Sequence, residues 1–164
     1  MIEAMADQML TTRIVPTERG SERGHAPRRP SNVRGMLRES GLRPTRQRIA
    51  LAEILFSAGN RHVSAEQLHE EALTARVPVS LATVYNTLHQ FTEAGLLREV
   101  AVDGSKTYFD TNTSDHHHFF VENENVVIDI PGDGLMIDNL PHPPEGMEIA
   151  RVDVIVRIRP VRHA

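Results

Sequence analysis

Between residues 31 and 95 the apolar positions recur every three or four residues in four stretches, each opened by a residue able to cap a helix. Ser31 caps a first predicted helix running to about Glu39, with Gly41 at its left-handed C-terminal position. Thr45 caps a second, whose stripe of Ile49, Leu51, Ala52, Ile54, Leu55 and Phe56 ends before Gly59. Ser64-Ala65-Glu66-Gln67 is a capping box opening a third helix with Leu68 and Leu73 inward. Ser80 caps a fourth, where Val84, Leu88 and Phe91 form one face before Gly95. The period then falls from 3.6 to 2. Residues 97–102 and 105–109, joined at Asp103-Gly104, predict a β-hairpin. Helices followed at once by a hairpin predict a winged helix-turn-helix.

The remainder is β-rich. Strands are predicted over 117–122 and 126–130, then a Pro/Gly-rich stretch reaches Gly146. Val152, Val154, Val156 and Ile158 alternate with Asp153, Arg157 and Arg159 as a half-buried strand. Three short strands bury little alone, so a second copy is expected to complete them. Residues 1–30 lack periodicity and predict a disordered basic arm, with a frayed helix over 1–10. The fold class is α+β: arm 1–30, winged-helix DNA-binding domain 31–110, and a small α/β dimerisation and sensing domain 111–164.

Composition narrows the chemistry. The 164 residues include no Cys, which removes disulfides, thiolate zinc sites and thiol redox chemistry. No apolar run reaches transmembrane length and no signal peptide opens the chain, so the cytoplasm is the expected compartment. The net charge of −4 conceals an asymmetry. Residues 1–50 hold ten Arg against five Asp/Glu, and the rest eight Lys/Arg against 17 Asp/Glu. A basic front suits nucleic acid. The fourth helix is the candidate recognition helix: Ser80 opens it, and Thr83, Tyr85 and Asn86 lie opposite its apolar face. Asn86 can pair with an adenine edge and Tyr85 can pack on a thymine methyl, or Tyr85 is a half-buried core residue. Arg43, Arg46 and Arg48 suit phosphates or an A/T-rich minor groove, or form a solvated basic turn. A module this small calls for dimeric binding to a palindrome.

Asp115-His116-His117-His118-Phe119-Phe120 carries the other chemistry. On a strand, His116 and His118 share one side and His117 faces the other. Two imidazoles are too few for a metal site, so further donors must come from elsewhere.

Leu42-Arg43-Pro44-Thr45-Arg46-Gln47-Arg48, His62-Val63-Ser64-Ala65-Glu66, residues 81–88 and the histidine run together resemble the ferric uptake regulator (Fur) superfamily over about residues 32–130. The absence of Cys, residues 116–122, 127–131 and 143–149 resemble its iron-response regulator (Irr) branch. The resemblance implies a homodimeric, metal-responsive regulator of transcription binding an A/T-rich palindromic operator and controlling iron-responsive and haem-synthesis genes. It implies a metal set of His62, Asp110, His116 and His118, joining the DNA-binding part to the C-terminal part. Without a thiolate, Fe, Mn or Zn suits that set. The Irr branch implies haem as the signal, with His116, His117 and His118 as candidate axial ligands. A zinc- or manganese-responsive repressor without haem, and a haem- or metal-storage protein, are the alternatives; a hydrolase lacks an evident general base.

This chain departs from the superfamily pattern in several places. Val121 and Glu124 occupy the first Cys pair of relatives, and the second pair is missing. Met136 and Val152 stand where a further metal site has an acid and a histidine, with His117 and Asp115 as remnants. Asn86 replaces a common Arg, implying a shifted operator preference. Pro141, Pro143 and Pro144 interrupt the region of a dimerisation helix, leaving the strand within 147–158 to help dimerise.

Overall fold

Four helices form first: α1 (Val33–Glu39), α2 (Arg46–Phe56), α3 (Ala65–Thr74) and α4 (Leu81–Glu93). The structure, a computed structural model, describes residues 32–103, 106–131, 134, 135 and 137–161. The expected arm, Met136 and the hairpin turn residue Gly104 therefore lie outside the described residues. Thr45, Ser64 and Ser80 each cap their helix by accepting the N–H three residues on, and Ser64 with Gln67 completes the capping box. α1 differs from the expectation, because Asn32 caps it, accepting from the Gly35 N–H at 2.9 Å. Gly41 and Gly95 take φ values of 75° and 73° at the helix ends, where a side chain would be strained.

Leu73 is not inward as expected but 54% exposed. Leu68 and Ala72, four residues apart, share the buried face, and Leu73 is turned roughly 140° from Leu68. The helical core gathers Leu37, Leu51, Leu55, Leu68, Leu88 and Phe91 around Phe109, all fully buried.

The hairpin is β2 (Arg98–Asp103) and β3 (Lys106–Asp110), with a register irregularity near Ala101. A two-residue strand, β1 (His62–Val63), joins the other side of β3, so the antiparallel order is β1-β3-β2. Sequence periodicity did not predict β1, which is too short to show a period.

A second sheet holds β4 (His118–Val121), β5 (Val126–Asp129) and β6 (Ile155–Ile158) in the order β5-β4-β6. All three strands are shorter than expected, β6 most of all. β6 pairs parallel to β4 and so runs antiparallel to β5, and the crossover from β5 to β6 passes the end of β4. Among the described residues of 131–154 that crossover contains no helix. Direct pairing puts His118, Phe120, Val127, Asp129, Ile155 and Arg157 on one face. That face packs on Val100, Val102 and Tyr108 of the hairpin. Tyr108 Oη donates to the Asn125 carbonyl at 2.8 Å, and Arg157 donates to the Val102 carbonyl at 2.6 Å. The opposite face carries Phe119, Val121, Val126, Ile128, Val156 and Ile158, every one apolar.

Candidate functional site

The two sheets meet at a cluster of ionisable side chains, and the strand registers explain why. His62 on β1 is paired directly with Asp110 on β3, and His118 on β4 with Asp129 on β5. Paired residues project to the same side, so each rung delivers an imidazole and a carboxylate together. His116, two residues before His118, joins them by alternation. One donor atom from each of the five lies within 4.8 Å of all the others. From His116 Nε2, Asp110 Oδ2 is 2.9 Å away and Asp129 Oδ1 3.1 Å. His62 Nε2 is 3.3 Å and 3.0 Å from the same oxygens, and His118 Nε2 3.4 Å and 3.8 Å.

His62 Nε2, His116 Nε2 and Asp129 Oδ1 are nevertheless buried without a hydrogen bond of proper geometry. The atoms are close to one another but aimed at a common centre. Orphaned buried polar atoms are costly. Ligands about 2.1 Å from a shared ion sit roughly 3.0–3.5 Å apart, which is the spacing seen between most of these pairs. The donors therefore fit a divalent metal ion.

Surrounding groups hold the donors in that orientation. His116 Nδ1 lies 2.8 Å from the Ser114 carbonyl, which can only accept, so in the neutral ring Nδ1 carries the proton and Nε2 is bare. Asn112 holds both carboxylates: its backbone N–H donates to Asp110 Oδ1 at 2.8 Å and its side-chain Nδ2 to Asp129 Oδ2 at 3.2 Å. The other oxygen of each acid faces the centre. Burial alone would raise the Asp110 carboxyl pKa. The imidazoles of His118 and His62 beside it, with the Asn112 N–H, outweigh burial and hold it well below the usual carboxylate range.

The four metal residues expected from the sequence thus come together, and Asp129 joins them. Its signal was available: counting rungs back from the 122–125 turn pairs 129 with 118. Nothing in the sequence marks Asn112. His117 points away from the centre, its Nδ1 accepting the Val154 N–H at 3.3 Å.

The profile of the Ferric uptake regulator family matches residues 39–155. The chain belongs to this family. Fur-family proteins are transcription regulators, not enzymes. The ferric uptake regulation protein of Shigella flexneri is 39% identical over 82 residues, 50% of this chain and 55% of that protein. The peroxide operon regulator of Bacillus subtilis is 39% identical over 100 residues, 60% of this chain and 68% of its own length. The chain thus spans little more than half the length of several curated relatives it matches. The structure of a ferric uptake regulator from Pseudomonas aeruginosa with manganese aligns with a TM-score of 0.58 and 27% identity, covering 78% of this chain and 97% of that one.

In this Fur-family chain, α4 presents Tyr85 and Asn86 on its exposed side while Val84, Thr87, Leu88 and Phe91 face the core. Tyr85 is 36% exposed, and its hydroxyl donates to Glu66 Oε1 of α3 at 2.6 Å. That bond lowers the Glu66 pKa and raises that of Tyr85. Ser80 Oγ accepts the Thr83 N–H at 3.1 Å and lies 2.9 Å from Thr83 Oγ1, which makes Ser80 a helix cap. Arg43 and Arg46 are exposed. Arg48 is engaged within the fold: Nε and Nη2 donate to Gln90 Oε1, at 3.0 and 2.7 Å, and Nη1 to the Arg43 carbonyl. It ties α2 to α4.

Proposed function

We propose that this chain is a metal-responsive, DNA-binding transcription regulator whose signal is a divalent ion held by His62, Asp110, His116, His118 and Asp129. The observation that carries the reading is the set of three buried donor atoms without hydrogen bonds, aimed at one centre between two sheets. When bound, the ion supplies a charge that draws both sheets onto one point. It then stabilises whichever arrangement of the two brings all five donors into reach. Five donors exceed zinc's usual four, and a set of imidazoles and carboxylates without thiolate favours Fe(II) or Mn(II).

An ion is favoured over haem as the signal. The His116 and His118 rings stand edge to face with centroids 4.5 Å apart, and those of His62 and His118 5.0 Å apart. The side chains of His116 and His118 are only 9% and 2% exposed, which leaves little ring surface for a porphyrin. His117 turns away from the other two histidines, with its Nδ1 accepting the Val154 N–H. Control of haem-synthesis genes, an Irr-type role, rests on the sequence resemblance alone.

The reading gives DNA contact to Arg43, Arg46, Thr83, Tyr85 and Asn86 as a winged helix on an A/T-rich palindromic operator, with Arg48 tying α2 to α4 and the exposed Ser80 capping α4. A second copy covers the apolar outer face of the C-terminal sheet, where Val126, Ile128 and Ile158 are exposed. Titration with Mn(II) and Fe(II), followed by gel shift on the native promoter set with each metal and with haem, tests the reading. Metal-dependent DNA binding that disappears in Asp129→Ala is expected. Wild-type DNA binding unaffected by every metal, or governed by haem, would overturn it.

A further inference from the structure

We infer that Arg98 is a positioning residue that couples metal occupancy of the cluster to the chain segment entering β6. The inference rests on the metal reading above. Arg98 opens β2 and is paired with Asp110, which in turn pairs with His62, so the three form one rung across β1-β3-β2. Its guanidinium is 6% exposed. Nη1 donates to the carbonyls of Ser114 and His116, both at 3.1 Å, and Nη2 pairs with Asp153.

One buried cation therefore spans two segments distant in sequence. One is the loop that aims His116 at the centre; the other lies just ahead of β6. The planar fork of arginine sets the relative position of its acceptors, which the single ammonium of lysine cannot do. Arg98 is also difficult to release, because a buried cation stripped of its acceptors is strongly unfavourable. The same two segments meet again where Val154 donates its N–H to His117 and its carbonyl accepts the His118 N–H at 3.0 Å. An ion bound to His116 and His118 immobilises residues 114–118. The Arg98 acceptors are then fixed, and with them Asp153 and the entry into β6. Coupling of this kind is reciprocal, so loosening Asp153 also weakens the ion.

Co(II), followed by its absorption bands in the full chain, serves as the probe, with amide hydrogen exchange as the second readout. In the wild type, Co(II) is expected to slow exchange over both 114–118 and 151–158. In Arg98→Met, Co(II) should bind about ten- to a hundredfold more weakly, as for other residues that orient ligands. Saturating Co(II) should then slow only 114–118. Arg98→Lys should not restore the response at 151–158. Asp153→Ala changes a half-exposed carboxylate and leaves the core intact; it should weaken Co(II) less than Arg98→Met yet also lose that response. Wild-type affinity in Arg98→Met, or a retained response at 151–158 in either Arg98→Met or Asp153→Ala, would overturn the inference. A wild-type chain with no Co(II) absorption overturns the metal reading itself, a different result from a working site whose variants keep the response.

Discussion

Asn112→Ala isolates the contribution of ligand orientation to metal binding. The substitution removes the Nδ2 donation to Asp129 at 3.2 Å and the two bonds that Oδ1 accepts from Ser114, at 3.2 Å from its N–H and 2.7 Å from its hydroxyl. The 2.8 Å bond to Asp110 survives, because its donor is the main-chain N–H. Only one of the two carboxylates is released, which puts the loss at the low end of the usual range for orienting residues, about tenfold in affinity. With metal at a hundred times the wild-type Kd, binding stabilises the fold by about 2.7 kcal/mol, and a tenfold weaker site by about 1.4 kcal/mol. For a chain of this size 1 kcal/mol corresponds to roughly 2–4 °C. The rise in Tm on adding Mn(II) to chelator-treated protein should therefore shrink by about 3–5 °C in the variant, as read by thermal melting. The metal-free Tm falls too, from the lost bonds, which is why the increment is the informative quantity. An increment equal to that of the wild type would refute the idea that Asn112 pre-orients Asp129.

Four further outcomes follow from the same geometry. The Asp110 pKa is depressed in the fold, so its ionised form adds stability above the unfolded value of about 3.9, and this is lost as pH falls through the lower folded value. Metal-free Asp110→Asn should thus show a flatter decline of Tm on acidification below about pH 4, and an acid limb matching the wild type would contradict the carboxylate's role. Phe109→Ala, at a fully buried position of the helical core, should cost about 3–5 kcal/mol in urea unfolding; a cost under about 1 kcal/mol would mean that the site collapses freely. Arg46→Ala should reduce the slope of log affinity for DNA against log salt by about 0.9, measured by anisotropy, and an unchanged slope would remove Arg46 from the phosphate contacts. His117→Ala should keep the Mn(II) increment in Tm while lowering the metal-free stability by about 1 kcal/mol; loss of the increment would put His117 among the ligands.

The helical half was legible because its signals are local. A capping hydroxyl and the N–H it receives lie three residues apart, and Thr45, Ser64 and Ser80 each act within that span. Leu73 misled because a leucine in a helix suggests burial, while its angle relative to Leu68 turns it outward. β1 was invisible for a different reason: two residues carry no period, and His62–Val63 forms a strand only through its pairing with β3. The ligand set divides in the same way. Alternation alone separated His116 and His118 from His117, but His62 and Asp110 entered only through family resemblance. Asp129 and Asn112 depend on contacts across strands and loops. Arg48, expected at phosphates because it is basic and close to Arg43 and Arg46, also bonds within the fold, its Nε and Nη2 donating to Gln90, 42 residues away.

The placement of the cluster also bounds what a bound ion can do. His62 and Asp110 belong to the sheet built on the helical half; His116, His118 and Asp129 belong to the second sheet or the loop leading into it. An ion held by either group alone would leave the relation between the sheets unchanged. An ion needing both groups binds only the arrangement that joins them, and can shift that equilibrium by no more than its difference in affinity between joined and separated states. The packing of Val100, Val102 and Tyr108 against Phe120 and Val127 already favours the joined state without metal. A smaller hairpin residue there, such as Val102→Ala, weakens that packing while leaving all five donors in place. The ion would then have more of the equilibrium to control, and the metal dependence of DNA binding should become steeper.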